Sequence, residues 1–441
     1  MRHHHLLRRL SLSLLPISAL LAQSPGPLPD NPQHGAIQRV ECAGHGGQSY
    51  MLYLPPGYSE SKRWPIVYAF DPGARGNVPV ERYQAAAAKY GYIVAGSNNS
   101  RNGSWQVSTD AISAVWEDTH RRLAVDDKRI YTTGHSGGAR VAFAFAAGPA
   151  NAAGVIAGGA GMPGSENQPK KVSFATYAIV GDADFNYLEV SELYRNLQAM
   201  NAPSHLHVFE GPHQWASSEI LLDALAWMEI QAMKSGLRPK DEAILDAWVL
   251  AKSPSGESAQ AWHAWTQLVS DLQGLRDVSA FESKAASMKN IKAVKDGLKA
   301  EHSARDKETA IMTALYRSQI GLADPATRDD SARQLYAALV DLKKKAASTN
   351  DSPERQANRR ALSGLAAQLR EGNAQILERK NYTLAAIRFD IAAEIPPGRP
   401  ALWLEAARVL ELAGNKKRAQ YWRDRAEKAG VTPHASPALR P

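Results

Sequence analysis

The chain has almost no cysteine. Cys42 stands alone among 441 residues, which excludes an internal disulfide framework and any cysteine-based zinc site. Long apolar runs are equally scarce: past residue 22, no stretch reaches the roughly 20 uninterrupted apolar residues that a membrane-spanning helix needs. Charge of one sign is never gathered into a block. The net charge is +8, and the excess falls after Gly236, scattered among Glu and Asp. That pattern reads as a solvated surface and argues against a nucleic-acid partner. With 44% apolar and 22% charged residues, the composition also excludes a wholly disordered or collagen-like chain. A protein of this length without disulfides must rely on a large core, and at roughly 150 residues per domain it has room for about three domains.

The first 22 residues stand apart. Arg2, Arg8 and Arg9 precede a run from Leu10 to Ala22 that is apolar or small throughout. This is the basic-then-apolar pattern of a signal peptide, with Ala22 as the candidate cleavage residue, and it predicts a periplasmic or secreted protein. Cys42 follows Arg39-Val40-Glu41, which does not match a lipoprotein box, so no lipid anchor is expected. Residues 23–34, rich in Pro, Gln and Ser, read as a leader.

Between residues 35 and 236, short apolar runs alternate with amphipathic stretches. Strands are predicted at Gln48–Leu54, Trp64–Phe70, Tyr92–Ser97, Arg129–Thr133, Gly154–Gly159, Thr176–Val180 and His205–Phe209. Helices are predicted at Val80–Lys89, Thr109–Leu123, Gly138–Ala147, Tyr187–Met200 and Ser217–Met233. That alternation implies an α/β fold with a mostly parallel sheet covered on both faces. After Gly236 the strand signal stops. Apolar residues then recur at spacings of three and four, as at Ala243, Leu245, Trp248 and Leu250, and the remainder reads as helical hairpins. Breaks fall at Ser253-Pro254-Ser255-Gly256, Ala323-Asp324-Pro325 and Asn350-Asp351-Ser352-Pro353, so residues 237–365 form one expected helical region.

The last region carries a repeat of period 34. Tyr382, Ala385, Phe389 and Ala392 map onto Lys416, Ala419, Arg423 and Ala426, so both small positions recur and both aromatics are lost. Trp403 and Gly414 fall where a helix pair would place a packing Trp and a turn Gly. Over residues 366–433 the chain resembles the tetratricopeptide family. The resemblance implies a concave surface that takes a protein or peptide partner.

The chemistry gathers around Gly134-His135-Ser136-Gly137-Gly138, a G-x-S-x-G string between a predicted strand and a predicted helix. A strand, a tight turn and a helix are what a nucleophile elbow requires. A serine hydroxyl needs a base to take its proton and a carboxylate to orient that base. In such a sheet these follow in the order acid, then histidine, in loops after later strands. Asp182 and Asp184 both stand in the loop after Thr176–Val180. His213 follows the strand His205–Phe209. It outranks His205 and His207, which a strand would hold away from the elbow. Those two share a strand face and could hold a metal, but no third ligand is evident, so no metal is expected. His135 is read as packing beneath the turn. An oxyanion needs two backbone N–H donors. One is expected from Gly137. The other should come from the loop Asp71-Pro72-Gly73-Ala74-Arg75-Gly76, where Pro72 has no N–H and Gly73 is chosen.

Residues 45–235 thus resemble an α/β-hydrolase of the secreted esterase and polyhydroxybutyrate-depolymerase-like type. Tyr53-Leu54-Pro55-Pro56-Gly57-Tyr58, Gly134–Gly138, Gly181–Asp184 and Gly211–Trp215 carry the likeness. The family's Gly-x-x-Asp acid loop favours Asp184 over Asp182 as the orienting carboxylate. Asp71 departs from the His-Gly that many relatives carry there. No insertion long enough for a lipase lid is present. The resemblance implies ester hydrolysis through Ser136, His213 and Asp184, without a cofactor, on a small or polymeric ester. The polar segment Ser97–Trp105 follows a strand at the same edge, so Arg101 and Trp105 are candidate substrate contacts. A peptidase or acyltransferase would use the same three residues. A non-catalytic scaffold dominated by the helical half is the contrasting expectation.

Overall fold

In the computed structural model, residues 32–164, 171–349, 352–396 and 398–431 are described. The signal-like segment 1–22, most of the leader, Asn350-Asp351, Pro397 and residues 432–433 lie outside them. The strands are β1 (Ile37–Glu41), β2 (Ser49–Tyr53), β3 (Trp64–Phe70), β4 (Ile93–Ser97), β5 (Val125–His135), β6 (Gly154–Gly158), β7 (Ala175–Gly181) and β8 (Ser204–Phe209). They form one sheet in the order β1-β2-β4-β3-β5-β6-β7-β8. Strand β2 runs antiparallel to both neighbours, and every pairing from β4 to β8 is parallel. This is the mostly parallel sheet that the alternation implied.

Central strands β3 and β7 are buried at every position, which is why they read as unbroken apolar runs. Two differences have simple causes. Edge strand β1, Ile-Gln-Arg-Val-Glu, buries only Val40, too weak a pattern to register. Strand β5 begins four residues earlier than expected, because Asp126, Asp127 and Lys128 are polar and lie on its solvent-facing start.

Helices α1 (Asn77–Tyr90), α2 (Trp105–Arg122), α3 (Gly137–Ala147), α4 (Tyr187–Ala199) and α5 (Ser218–Lys234) cover the sheet. Ser104 caps α2, its hydroxyl accepting from the Gln106 N–H. Trp105, expected in a loop, is therefore the first residue of a helix. One sheet face packs Tyr68, Phe70, Ala142 and Phe145 beneath α2 and α3. Cys42 lies in this core, and burial, with help from the nearby Asp118 carboxylate, pushes its thiol up to about 12.

The opposite face packs Val67, Tyr83, Tyr177 and Trp227 beneath α1 and α5, and this core does not end with the sheet. It continues into α6 (Glu242–Lys252) and α7 (Ala259–Leu272) through Leu245, Trp248, Leu268 and Leu272. At its centre the buried Asp271 carboxylate accepts from the Trp227 and Trp248 indoles at 2.6 and 3.0 Å. Next come α8 (Ser279–Met288), α9 (Lys292–Gly321), α10 (Arg328–Ala346), α11 (Pro353–Arg370), α12 (Asn373–Glu378), α13 (Tyr382–Ala393), α14 (Pro400–Leu412) and α15 (Lys416–Lys428). Two separate cores serve α9–α13 and α13–α15.

The 34-residue period meets a partial structural counterpart. Ala385, Phe389, Ala392, Ala419 and Ala426 are all buried at helix contacts, and Gly414 (φ 83°) turns α14 into α15. The first unit departs from a full helix pair. Its leading helix is broken at Gly372 (φ 70°) and continues only as the six-residue α12.

A chain ending at Gly236 would uncover Trp227, Met228 and the α5 face that α6 and α7 bury. Such a truncation should be aggregation-prone or melt well below the full chain, as a solubility assay and thermal unfolding will show.

Candidate active site

Residues expected to act together lie at the carboxyl ends of the parallel strands, where loops following β3, β5, β6, β7 and β8 meet. Ser136 sits between β5 and α3 at φ 55°, ψ −124°, a conformation that costs a non-glycine residue on the order of 1–3 kcal/mol. Close packing enforces it. A Cβ on Gly134 would lie 2.1 Å from the Gly138 carbonyl oxygen, and one on Gly138 would lie 2.0 Å from that of Phe70. The Ser136 N–H donates to the Gly158 carbonyl at 2.8 Å, pinning the turn to β6.

The structure brings Asp184, rather than Asp182, to His213. Asp184 is buried, and both of its carboxylate oxygens lie 2.9 Å from His213 Nδ1. Its Oδ1 also accepts from the Asn186 N–H at 2.8 Å. Asp182 instead accepts from the Gly211 N–H at 2.9 Å and so staples the loop after β7 to the loop after β8. The His213 ring lies 4.1 Å from that of Phe185 and 4.5 Å from that of His135, the residue preceding Ser136. A Cβ on Gly159 would come within 3.0 Å of His213 Cε1 and 3.1 Å of Asp184 Oδ2. Among the described residues no hydrogen bond reaches the Ser136 hydroxyl, so the relay as found joins Asp184 to His213 and leaves the hydroxyl open.

His135 packs beneath the turn as expected. It is buried, its Nδ1 has no hydrogen-bond partner, and burial, reinforced by the neighbouring His213, pushes it down to about 3. His205 and His207 remain on β8, where His205 stacks on Tyr177 at 4.6 Å and its Nδ1 lies 3.6 Å from Asp271. Among the described residues no cluster of three candidate metal ligands occurs.

Of the two N–H groups expected as oxyanion donors, Gly73 is engaged elsewhere. Gly137 opens α3, so its N–H has no acceptor within the helix. The Gly73 N–H, expected to face the oxyanion, instead donates to Asp71 Oδ1 at 2.8 Å. Asp71 is the reason. Its buried carboxylate also accepts from Arg75 at 2.8 and 3.0 Å and from the Trp215 indole at 2.8 Å. Burial alone would raise its pKa, but the bonds from Arg75, Trp215 and Gly73 outweigh that and hold it below the ordinary carboxylate value.

Asn102 was not singled out by sequence. A Cβ on Gly137 would lie 1.8 Å from Asn102 Oδ1, so this amide rests against the residue that follows Ser136. The loop is brought there by the Asn102 N–H, which donates to the Pro72 carbonyl at 2.9 Å, and by a β-bridge between Gly73 and Arg101. Arg101 is exposed and its guanidinium has no partner among the described residues, while Trp105 is half exposed on the same rim. The sequence names the segment, but the contact with Gly137 depends on a fold-level approach that no local pattern carries.

No family model matches the chain, and no curated protein matches it. Among solved structures it is similar to S-formylglutathione hydrolase from Staphylococcus aureus, with 16% identity over 45% of this chain and 98% of that one, at a TM-score of 0.36. It is also similar to esterase 2 from Thermogutta terrifontis, with 14% identity over 47% and 96% and a TM-score of 0.37. A third likeness is to acylaminoacyl peptidase from Pyrococcus horikoshii, with 15% identity over 48% and 44% and a TM-score of 0.35.

His135 predicts how stability depends on pH. The folded chain keeps it neutral down to about 3, against an ordinary value of 6.5. The unfolded chain takes up that proton first, so stability falls as pH drops through this window, by at most about 1.4 kcal/mol per pH unit. His135→Phe should make the fall in melting temperature between pH 6.5 and 3 shallower, leaving the contribution of His207, which burial pushes down to about 4.

Proposed function

We propose that this chain is an exported serine hydrolase that cleaves carboxylic esters through an acyl-enzyme. The reading rests on the Asp184 carboxylate bonded to His213 Nδ1 beside a serine held in a strained strand-to-helix turn. With Nδ1–H donating to Asp184, Nε2 is the unprotonated nitrogen and is the one that can take the proton of the Ser136 hydroxyl. Ser136 attacks the ester carbonyl while His213 takes its proton and then delivers it to the leaving alcohol. Water, deprotonated by the same imidazole, releases the acid. Asp184 holds the tautomer and stabilises the imidazolium. The open Ser136 hydroxyl suits a resting state, because catalytic hydrogen bonds often tighten only around bound substrate.

The Gly137 N–H serves as one oxyanion donor, aided by the positive end of α3. The second is either the Gly73 N–H, released from Asp71 as negative charge develops, or the Asn102 amide. Arg101 and Trp105 line the rim where the alcohol or acyl group enters. Export is supported by the basic-then-apolar stretch ending at Ala22. The three residues fix the acyl-enzyme but not the acceptor, so a peptidase or acyltransferase is the alternative within the same chemistry. The buried small residues at 385, 392, 419 and 426 support close, tetratricopeptide-like packing of α13–α15.

Ser136→Ala should abolish hydrolysis of p-nitrophenyl butyrate and fluorophosphonate labelling while leaving the melting curve in place. Asp184→Asn should lower kcat by about 10⁴-fold, the scale seen when a relay histidine loses its orienting carboxylate. Asp182→Asn should affect mainly stability. A chain equally active after Ser136→Ala is not a serine hydrolase at this site, and a preference for peptides over esters selects the peptidase reading.

The oxyanion donors are separated by Asn102→Ala. A loss of about 10²–10³ in kcat, the usual effect of removing one donor, assigns the second position to the amide. Unchanged kcat assigns it to Gly73.

A further inference from the structure

The helical half meets the loop that carries Asp184 at a buried point. Arg360 on α11 and Glu308 on α9 are both buried. Arg360 Nε donates to Glu308 Oε1 at 2.8 Å and Nη2 to Oε2 at 2.5 Å, a two-pronged pairing along one edge of the guanidinium. The third nitrogen, Nη1, leaves the pair and donates to the Asp182 carbonyl at 2.9 Å. The guanidinium carbon also lies 4.0 Å from the centre of the Tyr187 ring. Asp182 and Tyr187 bracket Asp184. One helical turn past Arg360, a Cβ on Gly364 would come 2.8 Å from Met312 Cε and 3.8 Å from Phe185 Cβ, and Phe185 faces the His213 ring.

The remaining anchors of this loop come from the sheet side. The Asp182 N–H donates to Phe209, the Ala183 N–H to Gly211 and the Asn186 amide to Gly159, at 2.8, 3.0 and 2.7 Å. They tie the loop to its neighbours along the strand ends. Arg360 approaches from α11, and its fixed plane holds both the carbonyl before Asp184 and the ring after it.

A buried ion pair is a poor source of net stability, since desolvation offsets much of the attraction. Joining α9 to α11 would need only apolar packing. We propose that Arg360, held in place by Glu308, is a positioning residue for the hydrolytic relay: it fixes residues 182–187 and thereby the carboxylate of Asp184, which makes the helical half a working part of the active site. This rests on the reading of Ser136, His213 and Asp184 given above.

The test removes the pair as a unit in the full chain, with Arg360→Met and Glu308→Leu together, so that no buried charge is stranded. Arg360→Lys serves as the conservative variant, keeping a charge for Glu308 but losing the planar fork. In the double variant kcat for p-nitrophenyl butyrate should fall about ten- to a hundredfold with KM unchanged, the scale of a small misplacement of a catalytic group. Arg360→Lys should fall between it and wild type. Independently of turnover, hydrogen exchange at residues 182–187 should quicken in the double variant while residues 130–135 of β5 stay protected. If the double variant does not fold, Arg360→Lys carries the same two readouts. Unchanged kcat and unchanged exchange in the loop, with only a lower melting temperature, would overturn the inference and leave the pair as a link between helices. A wild-type chain inert towards esters and fluorophosphonate would instead refute the hydrolase reading, and the exchange measurement would still decide whether Arg360 orders the loop.

Discussion

The closeness of α3 to β3 and β5 governs the site. The main chain passes within contact distance at Gly134, Gly138 and the Phe70 carbonyl, where even one methyl group would collide with backbone. Under that constraint Ser136 has no route to an ordinary conformation, and its side chain is forced out at the sheet's edge. The cost is local and modest. The core beneath, with Phe70, Ala139, Ala142 and Phe145 all buried, supplies the rigidity that sustains it.

Three aspartates then organise the loops around this turn, and each does a different job because each meets different donors. Asp184 faces an imidazole. Asp182 faces a backbone N–H from the next loop. Asp71 collects a guanidinium, an indole and a backbone N–H, joining the loop after β3 to Trp215, two residues beyond His213. The loops bearing His213, Asp184 and Gly73 are thus cross-tied by carboxylates rather than by packing alone, as suits polar strand ends that an apolar core cannot reach.

Much of this was legible in the sequence. The strands from β2 to β8 announce themselves by apolar runs, and the elbow by two glycines whose spacing has a steric cause. His213 and the loop with Asp182 and Asp184 could be placed from the order of the strands, while the choice of Asp184 came from the resemblance to the Gly-x-x-Asp acid loop. What escaped is what depends on distant pairing. Edge strand β1 buries too little to leave a pattern. The Gly73 N–H looked free because nothing local reveals that Asp71 turns back to capture it. Asn102 and Arg360 reach the site from segments whose own periodicity says only surface loop or helix. The region after Gly236 was read correctly as helical, yet its shared core with the sheet, through Trp227, Trp248 and Asp271, required knowing which face α6 and α7 would cover.

Cys42 has a practical consequence. Its sulfur is enclosed, and its proton is held so firmly that almost no thiolate forms near neutrality. A cysteine introduced on the surface would therefore be the one reactive sulfur in the molecule. Dyes or spin probes attached at chosen points on α11 and on the loop after β7 would report movement between them without first deleting the native residue.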